Sequence, residues 1–168
     1  MNELGLTLQH LKQPEYVHVL LNPLPLYGLG MGVLALIIAL VIRSKQARLV
    51  ALILVIVGAG SAWPVIEYGE RGYDRVYSMS NAEGQRWLEI HAHRAGRWEW
   101  LFYVTAAAAL ATIIAHLKFT RAAIPLAVLT LALSIFTVAV AGWISRAGGQ
   151  VRHSEFRDPP PPNPQRGE

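Results

Sequence analysis

The chain has no cysteine. That excludes disulfides, thiolate zinc sites, thiolate-held iron–sulfur clusters and covalent haem attachment through a Cys-x-x-Cys-His motif. Charge is scarce as well. Asp, Glu, Lys and Arg make up 15% of the 168 residues, where a soluble domain carries about a quarter. No strand-like alternation runs through the apolar segments, which argues against a closed β-barrel. No basic stripe with interleaved aromatics is present, so no nucleic-acid partner is expected despite the net charge of +4. Residues 1–15 lack a basic stretch leading into an apolar run, so no cleavable signal peptide is expected and the first span should serve as an anchor.

What is present is apolar. Hydrophobic residues form 53% of the chain and gather in long runs. A bilayer core is about 30 Å thick and takes roughly 20 apolar helical residues. Four segments meet that length: 25–42, 49–66, 98–117 and 122–144. Lipid offers no hydrogen bonds to an open backbone, so these spans must be helices. The expected fold is all-α, an integral membrane four-helix bundle. Short loops at 43–48 and 118–121 imply two antiparallel hairpins in up-down-up-down order. Residues 1–24 are expected as an N-terminal segment, 25–146 as the four-span bundle, 67–97 as a long polar loop, and 147–168 as a Gly/Pro-rich tail. The prolines at 159–162 and 164 suit a solvated spacer or docking peptide.

Arg43, Lys45 and Arg48 fill the first short loop, and Lys118 and Arg121 flank the third, with no acid in either. On the other side, basic residues mix with Glu67, Glu70, Asp74, Glu83 and Glu89. The positive-inside rule then turns the short loops to the cytoplasm and puts both termini outside, on the periplasmic face of a bacterial inner membrane. Trp63, Tyr68, Trp98, Trp100 and Trp143 fall near the outer helix ends, as an interfacial belt does. Gly28 with Gly32, and Gly58 with Ala62, have the four-residue spacing that lets membrane helices approach closely.

Six histidines are the main candidates for chemistry. On this topology His18, His91, His93 and His153 share the outer side, and His116 stands alone at the inner end. If the third helix begins near residues 85–88, His91 and His93 point about 200° apart. The stripe from His91 continues through Ala95, Trp98, Phe102, Thr105, Ala109, Thr112 and His116, and it holds both threonines of that span. Polar groups within spans face the protein interior. His91 is therefore the inward residue and His93 the outward one. Asn22, ahead of Pro23 and Pro25, is placed to cap the first span. Gly148 and Gly149 are placed to end the last helix and turn the chain.

Neutral imidazole is a common metal ligand and a frequent axial ligand of haem. Three readings follow. In the first, the protein is a haem b-binding electron-transfer subunit. His18 and His91, or His91 and His153, are then the axial ligands, Arg152 lies beside a propionate, and a redox partner docks on the outer face. In the second, it is a cofactor-free structural or accessory subunit of a membrane complex, and its outer histidines bond to loop backbone. In the third, His18, His91, His93 and His153 supply ligands for zinc or copper. No catalytic residues are assigned. No His-x-x-Glu-His motif and no Ser-His-acid arrangement appears.

The run His18-Val-Leu-Leu-Asn-Pro-Leu-Pro25 resembles a His-x-x-x-Asn-His-Leu-Pro entrance. Glu89-Ile-His91 resembles a helix start with a placed histidine. Gly148-Gly-Gln-Val-Arg-His-Ser-Glu-Phe-Arg157 resembles a Gly-Gly-x-Ile-Arg-His-Pro-Glu closing motif. Together, over about Tyr16 to Arg157, these resemble the bacterial predicted-membrane-protein family DUF2231, a domain of unknown function. Pro23 stands where that pattern has a second histidine. The resemblance implies a four-span bacterial membrane protein, and the association of such proteins with Rieske-type or cytochrome modules implies electron transfer.

Overall fold

The computed structural model describes residues 9–157. It is all-α among those residues. Helix α1 spans Pro14–Leu21 and leads through a π-helical turn, Leu24–Gly28, into α2, Leu29–Val41. Then come α3 (Lys45–Gly60), α4 (Ala62–Met79), α5 (Ala82–Lys118) and α6 (Thr120–Arg152), with a final 3-10 turn at Ser154–Phe156. Four helical runs, Pro14–Val41, Lys45–Met79, Ala82–Lys118 and Arg121–Arg152, are long and apolar enough to cross a membrane. The chain is a multi-pass four-helix bundle. It divides into two compact units, one of residues 22–62 and 98–141, the other of residues 9–21, 63–97 and 142–157.

The first unit has an apolar core and an apolar surface, with a few polar groups buried between its helices. Leu29, Leu36 and Ala39 of α2 pack with Ala51, Leu52, Val55 and Ala59 of α3 and Ala109 of α5. Large apolar side chains such as Val41, Val57, Leu129 and Phe136 lie exposed, as a lipid-facing surface requires. Glycine makes the α2–α3 contact possible. A Cβ on Gly58 would lie 2.4 Å from the Leu29 backbone nitrogen, and one on Gly32 would lie 2.9 Å from the Val55 nitrogen. The four-residue glycine spacing thus works as a close-packing surface. Between α5 and α6, Thr105 meets Thr137 at 2.7 Å and Thr112 meets Thr130 at 2.8 Å. One hydroxyl of each pair donates across the interface. Its partner is free to donate to the carbonyl four residues back, as Thr112 does to Ala108.

The second unit is built from polar helix. The segment 67–97, expected as a loop, is helical except at Ser80 and Asn81. Low hydropathy ends a membrane span but does not end a helix. The apolar period continues through Tyr73, Val76 and Tyr77, which pack on Trp87, Leu88 and Ile90 of α5 and Ala147 and Val151 of α6. Helix α5 has 37 residues, about 55 Å of rise, well beyond one hydrocarbon core. The break is chemical: Ser80 donates back to the Val76 carbonyl, and Asn81 Oδ1 caps α5 by accepting from the Gly84 N–H at 2.8 Å. Three further expectations change. Asn22 caps nothing, since the π-turn is entered at Pro23 with no side-chain cap. The segment 14–24, expected outside the bundle, is largely helical. Gly148 and Gly149 do not end α6, which continues to Arg152. The proline tract at 159–164 lies outside the described residues.

Arg157 closes this unit. Its Nε and Nη2 donate to the Gln150 and Val151 carbonyls, both at 2.7 Å, and its Nη1 reaches Asn81 Oδ1 at 3.1 Å. One guanidinium thus satisfies two orphan carbonyls at the α6 terminus and ties them to the Asn81 side chain at the α4–α5 turn.

Candidate functional site: a pair of seated histidines

Two helix pairs of the polar unit hold one histidine each in the same manner. His18 of α1 sits on α4. Its Nδ1 is 2.8 Å from the Val65 carbonyl, and its ring lies over Gly69, where an added Cβ would fall 2.9 Å from Nδ1. His91 of α5 sits on α6. Its Nδ1 is 3.0 Å from the Ile144 carbonyl, and its ring lies over Gly148, where an added Cβ would fall 3.1 Å from Nδ1 and Cε1. In both cases the carbonyl at position i accepts and the glycine at i+4 makes room for the ring. A Cβ at Gly69 would force the His18 ring to shift, and one at Gly148 would press the His91 ring by a few tenths of an ångström.

The chemistry follows from the tautomer. A carbonyl only accepts, so each Nδ1 carries a proton, and in the neutral ring Nε2 then presents the lone pair. Neither Nε2 has a hydrogen-bond partner among the described residues. Neither is fully sealed, since among the described residues the buried unpartnered side-chain atoms are Trp87 Nε1 and Gln150 Oε1. Histidines that ligate metals are oriented in this way, with the second ring nitrogen donating to backbone or carboxylate. The two rings also lie in edge contact, with centroids 6.1 Å apart and planes at 79°.

One helical turn beyond His91 lies Arg94, 8% exposed. Its guanidinium carbon is 3.8 Å from the Trp143 ring centroid, and Nη1 donates to the Trp143 carbonyl at 3.3 Å. This is a buried cation held by ring and backbone. On α1, Glu15 pairs with Arg75 of α4 at 2.7 Å, and a Cβ on Gly72 would fall 2.9 Å from the Glu15 nitrogen. Those contacts fix α1, and with it His18, against α4.

The remaining candidates do not join the pair. His93 is exposed, as the 200° phase from His91 demands. His153 is exposed, bonded through Nδ1 to Glu155 at 2.8 Å and stacked on Phe156. The Glu155 carboxyl is held below its ordinary range by its own backbone N–H and by His153. Arg152 is exposed. Among the described residues no group of three or more His, Asp or Glu is arranged to hold a metal ion. Two nitrogen ligands suit a group that brings its own equatorial ligands, as a tetrapyrrole does, better than a bare four-coordinate ion.

Sequence reading singled out His18 and His91 but missed the parts that seat them. Gly69 passed unremarked in a presumed loop, and Gly148 read as a helix stop. No feature of either helix alone marks these glycines, because every residue carries an accepting carbonyl and only packing brings a histidine onto Val65 and Ile144. Comparison with known proteins finds no matching protein family, no similar characterised protein and no similar solved structure.

Proposed function

We propose that this protein is a haem b-binding electron-transfer subunit of a bacterial inner membrane, with His18 and His91 as axial ligands. The observation that carries this reading is the pair itself: two imidazoles with fixed tautomers, open Nε2 atoms and a 6.1 Å centroid separation. Bound haem supplies reversible one-electron iron chemistry. The protein's own residues do the rest. Val65 and Ile144 hold each ring by its Nδ1–H, which raises ligand basicity at Nε2. Gly69 and Gly148 set the rings' depth. The basic residues of the two short turns orient those turns to the cytoplasm, and the histidine pair then faces outward, where a redox partner docks. The motifs at 18–25, 89–91 and 148–157 support membership of the DUF2231 family. The Arg157 clasp gives the last of them a structural role.

The test is spectroscopic. Protein purified in mild detergent, without chelator, is expected to show a Soret band, a b-type α-band on dithionite reduction and about one haem per chain. Metal content is read on the same sample. A colourless protein with stoichiometric zinc or copper replaces this reading with a metal site. A colourless, metal-free protein whose His91→Ala variant assembles normally replaces it with a structural subunit.

A further inference from the structure

The apolar unit contains a buried charge that the haem reading does not use. Arg48, in the first turn of α3, is 9% exposed. Its Nε donates to His116 Nε2 at 2.9 Å. His116, 2% exposed, sits with Nδ1 3.0 Å from the Thr112 carbonyl. In that arrangement His116 is a neutral acceptor, with its proton on Nδ1. The guanidinium is permanently charged, so its partner does not neutralise it.

No carboxylate of this unit does so either. Its only acid is Glu99, 17 residues before His116 on the same helix, about 25 Å of rise away. Charges taken out of water are ordinarily paired. Both Nη atoms of Arg48 lack a hydrogen-bond partner among the described residues, yet neither is sealed in the interior. Each keeps some accessible surface. The Arg48–His116 bond also brings the first turn of α3 to the last turn of α5, so the α2–α3 and α5–α6 turns share one end of the unit. Exposed Arg43, Lys45, Lys118 and Arg121 belong to those turns, and no acid accompanies them.

We infer that Arg48 is the centre of a binding site for the phosphate of an anionic phospholipid. The planar fork of donors on a largely buried guanidinium matches phosphate oxygens. A ring of basic residues at the end of an apolar helical unit is where anionic headgroups lie. His116 acts as a positioning residue: it takes Nε and aims the two Nη groups outward. The absence of protein acids favours a lipid with net negative charge over a zwitterion.

The test uses the full chain in a neutral detergent. Phosphatidylglycerol is expected to raise Tm by about 5 °C, phosphatidylcholine by much less, and inorganic phosphate alone not at all. Native mass spectrometry of the unmodified protein is expected to find about one retained phosphatidylglycerol per chain. Arg48→Met removes the charge while keeping much of the length; it also leaves His116 Nε2 without its donor, so each lipid shift is read against the variant's own lipid-free Tm. The substitution is expected to abolish the phosphatidylglycerol shift, whereas Arg121→Gln keeps most of it. Equal shifts from both lipids, a full shift from inorganic phosphate, an undiminished shift in Arg48→Met, or equal losses in Arg48→Met and Arg121→Gln would each overturn the proposal. These readings are independent of haem content.

Discussion

The two units handle histidine in opposite ways. In the apolar unit His116 spends both nitrogens inside the fold, Nδ1 on its own helix at Thr112 and Nε2 on Arg48. In the polar unit His18 and His91 spend only Nδ1, each on a carbonyl of a neighbouring helix, and each leaves Nε2 open. Burial alone does not separate the two uses. What separates them is the glycine four residues past the accepting carbonyl, which lets a ring approach a helix edge-on and keep its far nitrogen available.

The largest expected effect breaks that difference directly. Gly69→Ala places a Cβ 2.9 Å from the His18 Nδ1. It is expected to dislodge the ring from Val65 and cut haem retention severalfold, read as the haem-to-protein ratio. Gly96→Ala, on the helix that carries His91 but with nothing within 4 Å, is expected to leave haem retention unchanged. An equal loss in both variants would remove the seating role from Gly69.

The next effect belongs to the apolar unit. Gly58→Ala drives a Cβ against the Leu29 backbone. Backbone cannot yield as a side chain does, so a cost of about 3 kcal/mol is expected in detergent unfolding. Haem content should fall only as far as folding does. Arg157→Ala comes third. It strips the Gln150 and Val151 carbonyls of their donors in the polar unit and is expected to cost about 2 kcal/mol. Hydrogen exchange should rise at the α6 C-terminus. The smallest effect is Thr137→Val, which removes one interhelical hydroxyl pair. Such bonds in membrane proteins average about 0.6 kcal/mol, and a loss above about 2 kcal/mol would point to a larger polar network.

Much of this was legible in the sequence. The four spans follow from apolar run length, because lipid imposes a simple length rule. The assignment of His91 inward and His93 outward follows from helical phase, because one helix fixes 100° per residue whatever its neighbours do. The small-residue spacing at Gly28, Gly32 and Gly58 marks the α2–α3 contact for the same reason.

The rest depends on information that a single helix does not carry. The helicity of 67–97 was hidden because hydropathy reports the solvent a segment prefers, while Tyr73, Val76 and Tyr77 pack on helices far away in sequence. Gly148 is an ordinary helix terminator until His91 comes to lie on it. Arg48 read as a loop charge of the kind that sets orientation. Its burial against His116, 68 residues away, is a tertiary fact. Arg94 and Trp143 are likewise joined only by the packing of α5 on α6.

The most direct test of the histidine pair is electron paramagnetic resonance of the oxidised, purified protein beside its His18→Ala, His91→Ala and His116→Ala variants. The pair predicts a low-spin signal of two imidazole ligands in the unmodified protein and in His116→Ala, and its loss to high-spin or haem-free protein in His18→Ala and in His91→Ala. A low-spin bis-imidazole signal that survives the removal of either His18 or His91 would contradict it.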